Sequence, residues 1–332
     1  PLMRRTTLLL ILLAVAALAS LMLALSSGSA GLGGKELWTI LFQPGESLHH
    51  AVVWDLRLPR ALSAFATGGL LALGGTLMQV LLRNPLADPY ILGVSGGASA
   101  AALLVLMLGL AGVWLPIGAF VGAMLSMLLV FGLSHGQGSW TPTRLLLTGV
   151  VVAAGWGALI SLLLALSPEG PLRGMLFWLM GDLGYARSPW LGMGVLAVGL
   201  VASLPLAREL NVLARGELLA GSLGVAVVGL RYRLFFLASL LTAAAVTLAG
   251  SVGFVGLVVP HILRLVGAHD HRVLLPGSVM LGGVLLVIAD TGARTLIAPA
   301  QLPVGVITAL VGVPLFLLLL NRGSHHLLTS KG

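Results

Sequence analysis

The chain has 332 residues, 58% of them hydrophobic and only 8% charged, with a net charge of +8 and no cysteine. A soluble domain carries about a quarter charged residues, so this chain lacks the polar surface to cover a globule in water and must use lipid as its main solvent. Strand-like alternation is missing from the sequence, which argues against a membrane barrel, and the lack of cysteine removes any disulfide framework or thiolate metal site.

A membrane-crossing helix needs about 20 mostly apolar residues. Ten such windows follow one another, at 6–26, 61–82, 93–113, 115–134, 145–166, 190–207, 234–249, 250–268, 273–293 and 303–320. The expected fold is therefore all-α, one polytopic transmembrane domain over 1–332. The first window follows Arg4 and Arg5 but outruns a secretory signal core, so it is read as a retained helix. Ten crossings put both termini on one side. With the N-terminus inside, twelve of the 18 Lys/Arg fall in the cytoplasm and six outside, the bias of the positive-inside rule. Trp38, Trp54, Trp114, Trp178 and Trp190 then lie near outer ends, as an interfacial aromatic belt requires. The basic balance thus reflects topology and not nucleic-acid binding.

Ten windows divide into two fives, and an odd number per half inverts the second half. LLALGGTLMQVLLRNPLADP (70–89) resembles VTLAGSVGFVGLVVPHILRL (246–265) in its glycine placement, which points to two inverted five-helix halves. Glycine pairs at Gly68-Gly69, Gly74-Gly75 and Gly282-Gly283 fall inside these windows, where small residues let helices approach closely.

Motifs for chemistry are few. GSAGLGGKE (28–36) fails as a phosphate loop, because Ser29 stands where glycine is needed and Glu36 where Ser or Thr is needed. Arg57 and Arg60 open the second window and Arg294 closes the ninth. All three fall on the outer side, where positive charge is disfavoured. They either anchor to lipid head groups or receive carboxylates from an external protein. Asp290 lies four residues before Arg294, at pairing distance on a helix. Arg264 sits near an inner end, where it can snorkel. No chain of carboxylates or histidines runs through mid-membrane, which counts against an ion-driven transporter.

The longest cytoplasmic connection, 207–233, is unusual. It holds Arg208, Glu209, Arg215, Glu217, Arg231 and Arg233 in a chain otherwise poor in charge. Gly216, Gly221 and Gly224 break it into short helical pieces, which suits a compact knob that docks a soluble partner. His269-Asp270-His271 falls in a short turn with no fourth ligand nearby and is read as solvated, with no metal.

Five stretches together carry a resemblance: RLPRAL (57–62), RNPLADPYILGVSGGA (83–98), GFVGLVVPHILRL (253–265), DHRVLLPG (270–277) and LPVGVITALVGVPLF (302–316). The chain resembles, over essentially its whole length, the FecCD-type permeases, membrane subunits of type II ABC importers for iron-siderophores, haem and vitamin B12. The resemblance implies two copies of this chain around a central path, an ABC ATPase dimer in the cytoplasm and a periplasmic substrate-binding protein. It implies a bacterial inner-membrane location with both termini cytoplasmic. The chain itself would then be no enzyme and would bind no cofactor, since ATP and Mg belong to the ATPase. By the same resemblance Arg215, Glu217, Leu218, Leu219 and Gly221 form the ATPase-coupling element, Arg57, Arg60 and Arg294 meet the binding protein, and Thr141, Pro142 and Thr143 line a cytoplasmic gate. The expected cargo is an iron chelate, haem or a ferric siderophore, with cobalamin as the alternative and an ion-driven transporter as a further one.

Overall fold

The computed structural model describes residues 2–28, 33–43, 45, 47–110, 112–135, 141–185 and 188–329. Among them there is no strand. The helices are α1 (Leu2–Ser26), α2 (Gly34–Phe42), α3 (Leu48–Ala51), α4 (Leu58–Leu81), α5 (Val94–Met107), α6 (Trp114–Ser134), α7 (Pro142–Leu166) and α8 (Glu169–Leu179). They continue as α9 (Trp190–Ser203), α10 (Ala207–Leu213), α11 (Glu217–Ser222), α12 (Val227–Ala249), α13 (Val255–Leu265), α14 (His271–Thr295) and α15 (Val304–Thr329).

Each of the ten expected windows holds a helix, but the count of ten full crossings is not reproduced. Among the described residues seven helices are long and apolar enough to cross a bilayer, while α5, α13 and the apolar part of α15 (Val304–Leu318) are shorter. The window at 250–268 departs most. Its first residues are not helical, because Gly250 (φ 66°) and Phe254 (φ 70°) adopt left-handed conformations that stop α12 and delay α13. The remaining eleven residues of α13 rise only about 16 Å, roughly half of a hydrocarbon core.

Irregular backbone at membrane depth is tolerated only where protein satisfies it. Here the Tyr90 hydroxyl donates to the carbonyl of Val252 and accepts from its N–H, both at 3.0 Å. The Ser95 hydroxyl meets that of Ser251 at 3.1 Å. Tyr90 lies in the helical turn Pro89–Leu92 just before α5, so a break in one half of the chain is filled from the other.

The expected local match between 70–89 and 246–265 does not hold, since the first is helical through Leu81 and the second breaks at Gly250. The packing nevertheless repeats with a shift of half the chain. Helix α4 packs on α12, α13 and α14, and α12 packs on α4, α5 and α6. The pairs α5–α6, α5–α7 and α6–α7 recur as α13–α14, α13–α15 and α14–α15.

Helix α4 is buried on nearly every side and forms the centre of the bundle. Its crossings are backbone against backbone. A Cβ on Gly68 would lie 2.1 Å from the carbonyl oxygen of Gly282, and one on Gly75 would lie 2.0 Å from that of Gly256. Lipid gives helices no hydrophobic drive to associate, so such close contact supplies the cohesion. A hydroxyl pair at the α4–α14 contact, Thr76 with Ser278 at 3.0 Å, adds to it. Helix α7 is the opposite case, the least buried of the long helices, with Leu147, Val150 and Val151 exposed.

Candidate functional site

The ends of α4 and α13, the start of α14 and the short helices α10 and α11 meet at one end of the bundle. This is the end that the charge bias of the sequence leads us to expect in the cytoplasm. Helix α10 buries Leu210 and Leu213 and ends where Gly216 (φ 129°) turns the chain. Helix α11 buries Ala220 alone, and Gly224 (φ 80°) releases the chain toward α12. The outer surface of this knob is apolar. Leu218 is 93% exposed, and Leu219 and Leu223 are exposed beside it, together with Arg215 and Gly221.

Glu217 does not share that outward face. Its carboxylate pairs with Arg231 of α12 and lies 3.5 Å from Arg83 in the loop after α4. Arg83 reaches it from a left-handed backbone (φ 48°). A second ion pair, Arg233 to Glu209 at 3.0 Å, ties α12 to α10. The five residues expected to couple thus divide: Arg215, Leu218, Leu219 and Gly221 lie on the surface, and Glu217 joins the knob to the bundle.

The residues expected at the gate lie at the start of α7. Thr141 caps the helix, its hydroxyl accepting from the Arg144 N–H at 3.3 Å, and Pro142 takes the first helical position, where its missing N–H costs nothing. Thr143 is exposed.

His269, Asp270 and His271 do not converge. Asp270 caps α14, accepting from the Arg272 N–H at 2.9 Å and the Asn211 side-chain amide at 2.8 Å. His271 Nδ1 bonds Asn211 Oδ1 at 2.7 Å. Burial pushes the Asp270 carboxyl up, but the Asn211 amide, the Arg272 N–H and the charges of Arg272 and His271 outweigh it and hold the group below the usual carboxylate range. No group of three potential metal ligands occurs among the described residues.

At the opposite end the three expected docking arginines also divide. Arg57 is buried and donates to the carbonyl of Leu25 at 2.7 Å, which fixes the end of α1 against the start of α4. Arg60 and Arg294 converge on one carboxylate. Asp290 accepts from Arg60 at 2.9 Å and from Arg294 at 3.1 Å, with Asp182 4.0 Å from Arg60. The Arg60 and Arg294 side chains are only 16% and 13% exposed and Asp290 is buried, so this is an internal ion cluster with a narrow outer face. The Asp290–Arg294 pair is visible from its spacing of four. Nothing in the sequence signals Arg60 or Asp182 as its neighbours, 230 and 108 positions away from Asp290. Arg264, expected to snorkel, instead turns inward and donates to Gln79 Oε1 at 2.6 Å.

The model of the FecCD transport family matches residues 12–322. The chain belongs to the FecCD transport family. Among its relatives, the hemin transport system permease protein of Yersinia pestis is 40% identical over 327 residues, covering 95% of this chain and 94% of the relative. The cobalamin import system permease protein of Halobacterium salinarum is 43% identical over 275 residues, covering 81% of this chain and 73% of the relative. A solved structure described as an inward-facing metal-chelate type ABC transporter superposes with a TM-score of 0.84 at 31% identity, covering 94% of this chain and 98% of the other. The FecCD chain is thus a multi-pass permease of an ABC importer.

Proposed function

We propose that this chain carries an iron chelate, haem or a ferric siderophore, from the periplasm through the inner membrane, driven by a separate ABC ATPase dimer. One observation carries the reading: α11 offers Leu218 to the outside while Glu217 binds the same helix to Arg231 of α12. A partner that grips Leu218 moves α12 through that pair. Such coupling requires the partner to contact the two states of the permease differently. ATP and Mg reside on the ATPase, and no cofactor is assigned to this chain.

The remaining expectations fit around this centre. The exposed apolar face of α7 suits a second copy of the chain across a central path, with Thr141, Pro142 and Thr143 at its cytoplasmic gate. Arg60 and Arg294 keep a narrow outer face beside Asp290 and Asp182, and that face is assigned to contact with carboxylates of the periplasmic binding protein. The haem permease that matches 95% of the chain supports the iron-chelate reading. The 43% identity to a cobalamin permease supports cobalamin as the second reading. An ion-driven transporter has little support, because Asp290 is held between two arginines instead of standing in a relay.

The test is uptake into proteoliposomes that hold the permease, its ATPase and its binding protein, with haem and cobalamin offered separately. Haem uptake that needs both ATP and the ATPase is the expected result. Cobalamin uptake alone moves the assignment to the second reading. Uptake that persists without the ATPase refutes the importer mechanism.

A further inference from the structure

A crevice of about 500 Å³ opens at the inner end between the close of α4, the α10–α11 corner and the α13–α14 turn. Arg83, Arg215 and Arg264 line it. Its one carboxylate, Asp270, already receives the Asn211 amide and the Arg272 N–H. Glu217 lies outside the lining and is shared between Arg83 and Arg231. The crevice is therefore net positive.

Arg264 is its deepest cation. It is half-buried on the last turn of α13 and donates to the neutral, buried Gln79. Among the described residues no carboxylate lies within ion-pair distance of Arg264 or Arg215. A desolvated guanidinium held by a neutral group alone is costly, and an anion brought from outside offsets that cost. The guanidinium fork matches paired phosphate oxygens. The depth matches as well: Gln79 and Arg264 sit within the last turn of two apolar helices, the level at which lipid head groups lie. Basic pockets between membrane helices on the cytoplasmic side take anionic head groups.

We propose that this crevice binds the phosphate of an anionic phospholipid head group, with Arg264 as its inner ligand and Arg215 and Arg83 at its mouth. A free phosphate ion shares the chemistry, and the test separates the two sources. The site depends on the inner end facing the cytoplasmic leaflet and not on which chelate is carried.

The full chain is placed in nanodiscs of phosphatidylcholine doped with phosphatidylglycerol, and the lipid retained on extraction is counted by native mass spectrometry. The wild type should retain phosphatidylglycerol in preference to phosphatidylcholine. Arg264→Gln and Arg215→Gln should each weaken that preference by roughly fivefold, the effect of one cation near a membrane surface. Arg264→Lys should keep most of it. Arg272→Gln, an exposed arginine at the same end but outside the crevice, should leave it unchanged. Arg215 is exposed, so its variant preserves the test if Arg264→Gln does not fold. In a second arm the chain in neutral detergent is titrated with inorganic phosphate and its thermal unfolding followed. A saturable, Arg264-dependent stabilisation without any lipid preference supports the anion site and assigns its source as free phosphate. Loss of lipid preference in Arg272→Gln equal to that in Arg264→Gln overturns the proposal in favour of general surface charge. Absence of both effects overturns it too.

Discussion

Glu217 and Leu218 are neighbours with opposite tasks, and substituting each separates them. Glu217→Gln keeps the shape of the side chain and removes its charge. The Arg231 side chain is 10% exposed and that of Glu217 31%, so the pair lies between two known limits. Exposed pairs contribute about 0–1 kcal/mol, and breaking a fully buried pair costs about 3–5 kcal/mol. An intermediate figure of about 2 kcal/mol corresponds to roughly a 30-fold shift between anchored and released positions of α11. The ATPase should still bind, because the Leu218 face is untouched. What should fall is the amount of cargo moved per ATP hydrolysed, since the knob now moves without drawing α12 along. Leu218→Asp should do the reverse and release the ATPase while leaving the bundle stable. The assay is co-purification of the ATPase combined with uptake and hydrolysis measured in the same proteoliposomes. If Glu217→Gln releases the ATPase as fully as Leu218→Asp, the carboxylate contacts the partner directly and the strut argument is wrong.

Three further outcomes are expected. Gly68→Ala drives a methyl toward the Gly282 carbonyl and should destabilise the chain by at least about 1–3 kcal/mol, whereas Gly132→Ala, with open space around it, should cost under about 0.5 kcal/mol; thermal unfolding in detergent compares them. Asp290→Asn strands Arg294 and leaves Arg60 only Asp182 at 4.0 Å, and should cost about 3 kcal/mol or more, clearly exceeding Arg60→Gln, which leaves Arg294 to balance Asp290; equal losses would show that the cluster is not organised by Asp290. Asp270→Ala removes the cap of α14 and should cost about 1 kcal/mol at neutral pH. Because the folded Asp270 carboxyl lies below its unfolded value near ~3.9, that contribution is complete above this pH and is lost as pH falls through the lowered value, so the deficit of the variant should shrink in acid and should not grow.

Hydropathy made the membrane bundle legible because long apolar runs have one physical solution in lipid. It overstated 250–268, where apolar side chains continue but the backbone does not. Gly250 and Phe254 break the helix, and the group that makes the break tolerable, the Tyr90 hydroxyl, lies 162 positions away from Val252. The knob was legible from its glycines and charges. Its inside and outside were not, since a spacing cannot tell whether Glu217 faces Arg231 or solvent. The outer arginines were visible as charge in a disfavoured place. That Arg57 would turn to the Leu25 carbonyl, and that Arg60 would join Arg294 on Asp290, depends on tertiary neighbours that no local pattern encodes.

The glycine crossings of α4 also restrict how the molecule is free to move. Where two backbones touch through Gly68–Gly282 and Gly75–Gly256, neither helix can roll about its axis without bringing a side chain against the other's carbonyls. Packed interfaces of this kind switch between discrete arrangements and do not deform smoothly. Helices α4, α13 and α14 should therefore travel as one rigid block. The freedom needed for a pore to open at one end and close at the other then belongs to α7 beyond its own close contact, Gly149 against the Ile91 carbonyl, where Gly155 and Gly157 meet nothing and give the helix room to pivot.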